Sequence, residues 1–126
     1  MKGEGMQHLL CHFEIFGDDP EKLAKFYEEI FGWKIVDAME GYKLIDTGGG
    51  LDAAGGGIEK CKAGQIRPPL NYFLVESIKD HVDKIKRARG KIIKDKSTVP
   101  GYGYFAIVED PCGNVFGIWE TEREAK

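Results

Sequence analysis

The stretch from His12 to Trp33, HFEIFGDDPEKLAKFYEEIFGW, decides the fold of this chain. It opens with alternating apolar and polar residues, the pattern of a strand that has one face on a core. Asp19 and Pro20 follow as a helix start, with a capping side chain before a proline in the first turn. Apolar residues then recur at helical spacing as far as Gly32, which ends the helix. The stretch predicts a strand followed directly by an amphipathic helix.

The same spacing returns in the second half of the chain. Leu70 begins another strand pattern, and Gly90 ends the helical pattern that follows it. The distance in sequence from Leu70 to Gly90 equals the distance from His12 to Gly32. Short strand patterns come after each helix, and paired prolines before Leu70 indicate a linker. The chain therefore repeats an architecture, although the two halves share little sequence identity.

The repeat predicts an α+β fold class. Two βαβββ modules form an eight-stranded curved sheet, with one helix per module on its outer face. We place module one at about residues 7–60, the linker at about 62–69 and module two at about 70–122. A chain of 126 residues suits a single domain, which would then cover residues 1–126.

Charge and cysteine content exclude several classes of function. The chain has 18 basic and 21 acidic residues, whereas nucleic-acid binding usually needs a basic excess. No apolar run reaches the roughly 18 residues of a membrane span, and the first residues lack the pattern of a signal peptide. Cys11, Cys61 and Cys112 are far apart, which argues against a disulfide framework. We expect a cytoplasmic protein that binds neither nucleic acid nor membrane.

Strand alternation predicts which side chains share the face away from the helices. In the first strand the apolar odd positions belong under the helix, so His12 and Glu14 point to the opposite, concave side. The repeat places Tyr72 on that side in the second module, and alternation in the last strand adds Trp119. Tyr102 and Tyr104, beside Gly101 and Gly103, would form a mobile rim over this surface. A few polar groups in an aromatic wall are typical of a small-molecule pocket.

The roles of these candidate residues stay open at the level of sequence. His12 and Glu14 could act as a general acid–base pair, with the carboxylate raising the pKa of the imidazole. They could equally bind a ligand without catalysing a reaction. They could also form a hydrogen-bonded pair that only satisfies two half-buried polar groups. Tyr72 and Trp119 are candidates for ligand binding, or else aromatic residues of the core or of a dimer interface. Tyr104 is a candidate for ligand binding as part of the rim, or else belongs to an ordinary hairpin.

At this point the chain resembles the vicinal oxygen chelate superfamily, which includes glyoxalase I, bleomycin-resistance proteins and extradiol dioxygenases. The resemblance rests on the stretch from His12 to Trp33 and on GYGYFAIVEDPCGNVFGIW, Gly101 to Trp119. Within the second segment, the turn from Glu109 to Asn114 matches the acidic-Asp-Pro-x-Gly-Asn pattern that precedes the family's last strand. The ending from Phe116 to Trp119 is most similar to an uncharacterised group related to lactoylglutathione lyase.

In metal-dependent members of this superfamily, side chains from strands one, four, five and eight hold a divalent ion. The resemblance puts the first ligand on His12, which is competent. It puts the strand-five ligand on Leu70 and the strand-eight ligand on Gly117, which cannot bind a metal. The strand-four position falls between Ala53 and Gly57, near Gly55. Since a lone imidazole holds a metal poorly, we expect no metal site and no cofactor.

The function expected from the sequence is metal-independent binding of a small molecule by a homodimer. A third possibility is an interaction module whose pocket is filled by its own side chains. The main alternative is a lyase or isomerase of the lactoylglutathione lyase type. Such an enzyme would use His12 and Glu14, or a divalent metal such as Ni²⁺ or Zn²⁺ at a site that the family pattern does not predict.

Overall fold

The computed structural model describes residues 7–50, 53–65 and 67–126. These residues form eight strands and two helices. The strands are β1 (Leu10–Gly17), β2 (Lys34–Met39), β3 (Tyr42–Asp46), β4 (Gly55–Lys60), β5 (Leu70–Leu74), β6 (Lys91–Val99), β7 (Gly103–Glu109) and β8 (Val115–Thr121). The helices are α1 (Pro20–Phe31) and α2 (Ile78–Arg87). Residues 51, 52 and 66, which belong to the predicted first module and linker, lie outside the described residues.

The chain divides into two compact units. The N-terminal unit is Cys11–Leu70, and the C-terminal unit is Asn71–Lys126 together with residues 7–10. Strand order is β2-β3-β4-β1 in the first unit and β5-β8-β7-β6 in the second. In each unit the first strand of the module runs parallel to its last strand, and the other pairs are antiparallel. The predicted α+β class with two βαβββ modules is confirmed.

Helix α1 begins and ends at the residues that the sequence indicated. The Asp19 side chain accepts a hydrogen bond from the Lys22 backbone N–H, and Pro20 occupies the first turn. Gly32 adopts a left-handed conformation, with φ of 69°, and its N–H bonds to the carbonyl of Glu28. Glycine takes this conformation without the steric cost that a side chain would bring.

The core of the N-terminal unit lies between α1 and the sheet. Phe13 and Ile15 pack into it from β1, which leaves His12 and Glu14 on the opposite face of that strand. The other members of this core are Leu23, Ala24, Trp33, Ile35, Ile45 and Ile58. The structure thus bears out the predicted phase of the first strand.

Helix α2 covers the core of the C-terminal unit. The hydroxyl of Ser77 caps the helix, and the carboxylate of Glu120 accepts the N–H of Ile78. The core consists of Val75, Ile78, Val82, Ala106 and Ile118, with Ile85, Ile92, Tyr104 and Phe116 packed against it. Neither helix has the length and apolar character needed to cross a membrane, as judged from the described residues.

Candidate functional site

Three side chains form a hydrogen-bonded chain in the N-terminal unit, on the face of the sheet opposite to α1. Tyr42, from β3, places its Oη 2.7 Å from Nε2 of His12. The same hydroxyl donates to Oε2 of Glu14 at 2.9 Å. Because the single hydroxyl proton goes to Glu14, Tyr42 accepts from His12, and the imidazole carries its proton on Nε2. The structure joins the two residues that the sequence had paired, through a tyrosine that the sequence had not singled out.

Burial decides the charge of His12. Removal from water lowers the pKa of this imidazole from 6.5 to about 4, because a poorly solvated site disfavours the charged form. The expectation that a neighbouring carboxylate raises this pKa is therefore wrong. The phenol of Tyr42 stands between His12 and Glu14, and burial is the larger effect. At neutral pH His12 is an uncharged hydrogen-bond donor.

Gly57 provides the space that Tyr42 occupies. A Cβ atom on Gly57 would overlap Oη and Cζ of the tyrosine, so any side chain there would displace the hydroxyl. Gly55, two positions earlier on β4, differs, because a Cβ there would meet only the carbonyl oxygen of Ile45 at 3.7 Å. Both glycines lie on the same face of the strand. Only Gly57 is required by the position of Tyr42.

An aromatic surface occupies the corresponding place in the C-terminal unit. Tyr72 lies opposite Gly117 in the pairing of β5 with β8, and a Cβ on this glycine would overlap the tyrosine ring. The ring of Tyr72 also makes a T-shaped contact with Phe105, with centroids 6.4 Å apart. Trp119 shares the strand face of Gly117 and donates its Nε1–H to Oγ1 of Thr121 at 3.0 Å.

Tyr104 lies on the other face of β7. Its ring packs against the core beneath α2, and Nζ of Lys96 is 4.1 Å from the ring centre. Side chains alternate along a strand, so the neighbouring Phe105 faces Tyr72 instead. This placement does not favour the predicted rim role of Tyr104. Among the predicted site residues, His12 and Glu14 belong to the N-terminal unit, and the three aromatic ones belong to the C-terminal unit.

The residues present do not fit the divalent metal site that the family resemblance implies. Gly57 lies opposite Glu14 just as Gly117 lies opposite Tyr72. The register therefore assigns the strand-four position to Gly57, two residues beyond the position near Gly55 that the sequence suggested. Neither Gly57 nor Gly117 offers a ligand, and tyrosine side chains fill both spaces. In the part of the chain that the structure describes, no group of three or more His, Cys, Asp or Glu could hold a metal ion.

Sequence reasoning missed Tyr42 and Gly57. Tyr42 belongs to a short strand pattern, and nothing near it in sequence connects it with His12. The glycine run that contains Gly57 was interpreted only as turns, bulges and close backbone packing. The available signal was glycine inside a strand, which often marks a close approach by another group. That signal does not reveal which group approaches.

Known proteins match this chain both in sequence and in fold. The family model described as "Glyoxalase/Bleomycin resistance protein/Dioxygenase superfamily" matches residues 9–118. A curated relative, "Putative glyoxylase CFP32" of Mycobacterium bovis, is 28% identical over 110 residues, which make up 83% of this chain and 41% of the relative. The chain thus spans about two fifths of the length of that curated relative.

Two solved structures illustrate the likeness in fold. Methylmalonyl-CoA epimerase from Mycobacterium tuberculosis has a TM-score of 0.72 at 13% identity, covering 97% of this chain and 93% of that one. The Mn(II)-bound glyoxalase from Novosphingobium aromaticivorans has a TM-score of 0.66 at 14% identity, covering 95% of this chain and 40% of that one. At such identities the likeness shows the fold alone.

Proposed function

Since this chain belongs to the Glyoxalase/Bleomycin resistance protein/Dioxygenase superfamily, we propose that it binds a small organic molecule at His12, Tyr42 and Glu14. One observation carries this function: the Tyr42 hydroxyl lies 2.7 Å from His12 and 2.9 Å from Glu14. These bonds hold each polar group in one orientation before a ligand arrives, which lowers the entropic cost of binding. Binding sites for small molecules rely on a few polar groups fixed in this way.

The direction of the hydrogen bonds favours a certain ligand. His12 donates to Tyr42 and Tyr42 donates to Glu14, so the carboxylate is the accepting end of the chain. We expect the polar end of the ligand to be neutral or cationic, because a carboxylate repels an anion. Tyr72 and Trp119 belong to the C-terminal unit and stay separate candidates for contact with an aromatic or apolar ligand within that unit. We propose that binding requires no metal.

Ligand screening with a matched pair of variants tests this function. Compounds that raise the melting temperature of the unmodified protein are titrated against Tyr42→Phe, which removes the hydroxyl and keeps the ring. We expect binding to weaken by about fivefold, since a lost hydrogen bond to a ligand-binding group costs on the order of 1 kcal/mol. Tyr27→Phe is the control, because Tyr27 lies on α1, on the other side of the sheet from His12, where it stacks on Trp33. Equal affinity in both variants contradicts the site, and a panel without any binding compound contradicts the function.

Proton transfer in a lyase or isomerase reaction is a second candidate function. The observation that favours it is the continuous hydrogen-bonded chain from His12 through Tyr42 to Glu14. A substrate proton accepted at Nδ1 of His12 would be matched by transfer of the Nε2 proton to Tyr42 and of the phenol proton to Glu14. The charged imidazole, which burial disfavours, would then not accumulate.

His12→Ala distinguishes the two candidate functions. Loss of turnover with binding retained supports the enzyme, and loss of binding alone supports the binding protein. Turnover is measured as lactoylglutathione formation and as solvent deuterium incorporation into compounds that bind. A homodimer, a single domain and a cytoplasmic location also stay predictions. Light scattering of the purified protein tests the first of these, because a dimer has twice the mass of the chain.

A further inference from the structure

We propose that Tyr42 and Gly57 together replace the strand-four metal ligand, so that the N-terminal unit recognises its ligand by hydrogen bonds and not by chelation. The phenol of Tyr42, which lies over Gly57, then keeps a divalent ion away from His12. His12 by itself is a competent metal ligand. The kind of ligand that the unit recognises rests on the proposed function. The replacement of the metal ligand by Tyr42 and Gly57 does not depend on that function.

Tyr42 occupies the space that a side chain at position 57 would need. The position of a Cβ on Gly57 and the position of the Tyr42 hydroxyl overlap, so only one of them can be occupied. That hydroxyl is 2.7 Å from Nε2 of His12. A side chain rooted at position 57 would therefore start within reach of the imidazole nitrogen. In this chain position 57 is glycine, and the space beside the imidazole is filled by Tyr42 from β3.

The hydrogen bond to Tyr42 also occupies the nitrogen of His12 through which a metal would bind. Nε2 of His12 carries the proton that it donates to Tyr42. A metal ion needs the lone pair of a deprotonated nitrogen, so binding through Nε2 would break this hydrogen bond. A neutral phenol is not among the usual ligands of Zn²⁺ or Ni²⁺ and cannot compensate. The hydrogen-bonded state and the metal-bound state of His12 therefore exclude each other at this nitrogen.

The strand-five and strand-eight positions of the family pattern likewise hold no metal ligand. Leu70, the last residue of the N-terminal unit, stands at the strand-five position and is 9% exposed. At the strand-eight position, Gly117 is covered by the ring of Tyr72. Within the N-terminal unit, the space over Gly57 that Tyr42 fills gives no advantage to a ligand that presents two neighbouring oxygens to a metal. It favours a ligand with a single hydrogen-bonding group.

Restoring a ligand at position 57 tests the inference directly. Tyr42→Ala combined with Gly57→His removes the phenol and roots an imidazole beside His12 and Glu14, which makes three ligands within one unit. We expect the double variant to bind Zn²⁺ about 100-fold more tightly than the unmodified protein in calorimetric titration, because three protein ligands hold a metal where one does not. Adding His12→Ala should abolish the gain.

Two single variants keep the test decisive if the double variant does not fold. Gly57→Ala should displace the tyrosine and remove the Nε2–H signal of a hydrogen-bonded His12 from ¹⁵N-resolved NMR spectra. Gly55→Ala, on the same strand face, should leave that signal unchanged. The signal persisting unchanged in Gly57→Ala overturns the inference.

Two metal-binding results would also overturn it. One is zinc binding by the unmodified protein that His12→Ala abolishes, since Tyr42 would then not block the metal. The other is a folded double variant that binds zinc no more tightly than the unmodified protein. None of these measurements needs the natural ligand. A ligand screen that finds no binding compound therefore rejects the proposed function. It does not affect this inference, which the zinc titrations and the NMR spectra test.

Discussion

Mild acid should destabilise the folded chain through His12. Burial lowers the pKa of this residue from 6.5 to about 4. Between those two values the unfolded chain binds a proton at His12 that the folded chain does not, so the free energy of unfolding falls as the pH falls. Above the unfolded pKa both states are neutral and the contribution is constant. At about pH 5 the linkage relation gives a loss of about 2 kcal/mol.

Urea denaturation of the unmodified protein and of His12→Gln measures this contribution. Glutamine has no titratable group, and the carboxylates are common to both proteins, so their effects cancel in the difference to a first approximation. We expect that difference to be constant between about pH 7 and about pH 8 and to shift by about 2 kcal/mol toward the variant by about pH 5. The constant region serves as the internal control.

Two results would refute the reasoning. The first is a difference in unfolding free energy that stays constant down to about pH 4.5, since the buried imidazole would then have no linked proton. The second is an NMR titration in which His12 of the folded protein has a pKa near 6.5, the ordinary value for histidine, since burial would then not have lowered it.

Two further predictions concern stability, each measured by urea denaturation. Lys43 is buried between the exposed carboxylates of Glu21 and Asp37, both at 2.6 Å, and these hydrogen bonds raise its pKa. Removing both carboxylates with Glu21→Gln and Asp37→Asn should cost about 2 kcal/mol, because it leaves a buried charge unpaired. Lys43→Met should cost about 1 kcal/mol or less, because it leaves carboxylates that water solvates. Equal losses of stability in these two variants would contradict the expected difference between removing the carboxylates and removing the lysine. Gly117→Ala should cost about 1–3 kcal/mol by overpacking a tyrosine ring, whereas Gly55→Ala should change little, and equal effects would show that the ring moves freely.

The sequence by itself determined the local features of this protein. Helix α1 begins after Asp19 and ends at Gly32, as the capping pattern indicated. The alternation in β1 put His12 and Glu14 on one face, and the structure joins them there. These features depend on residues a few positions away, through helix capping and strand geometry. Short stretches of sequence are therefore enough to predict them. The repeated spacing likewise indicated two modules of the same kind.

Only the tertiary structure decided how the candidate site is built. Tyr42 and Gly57 lie on different strands, and the register between β3 and β4 brings them together. The pKa of His12 depends on how far packing removes it from water, which no local pattern records. The face of Tyr104 depends on the pairing of β7 with its neighbours, which the sequence alone does not give. Contacts between distant residues arise from sheet register and burial, and those belong to the folded chain as a whole.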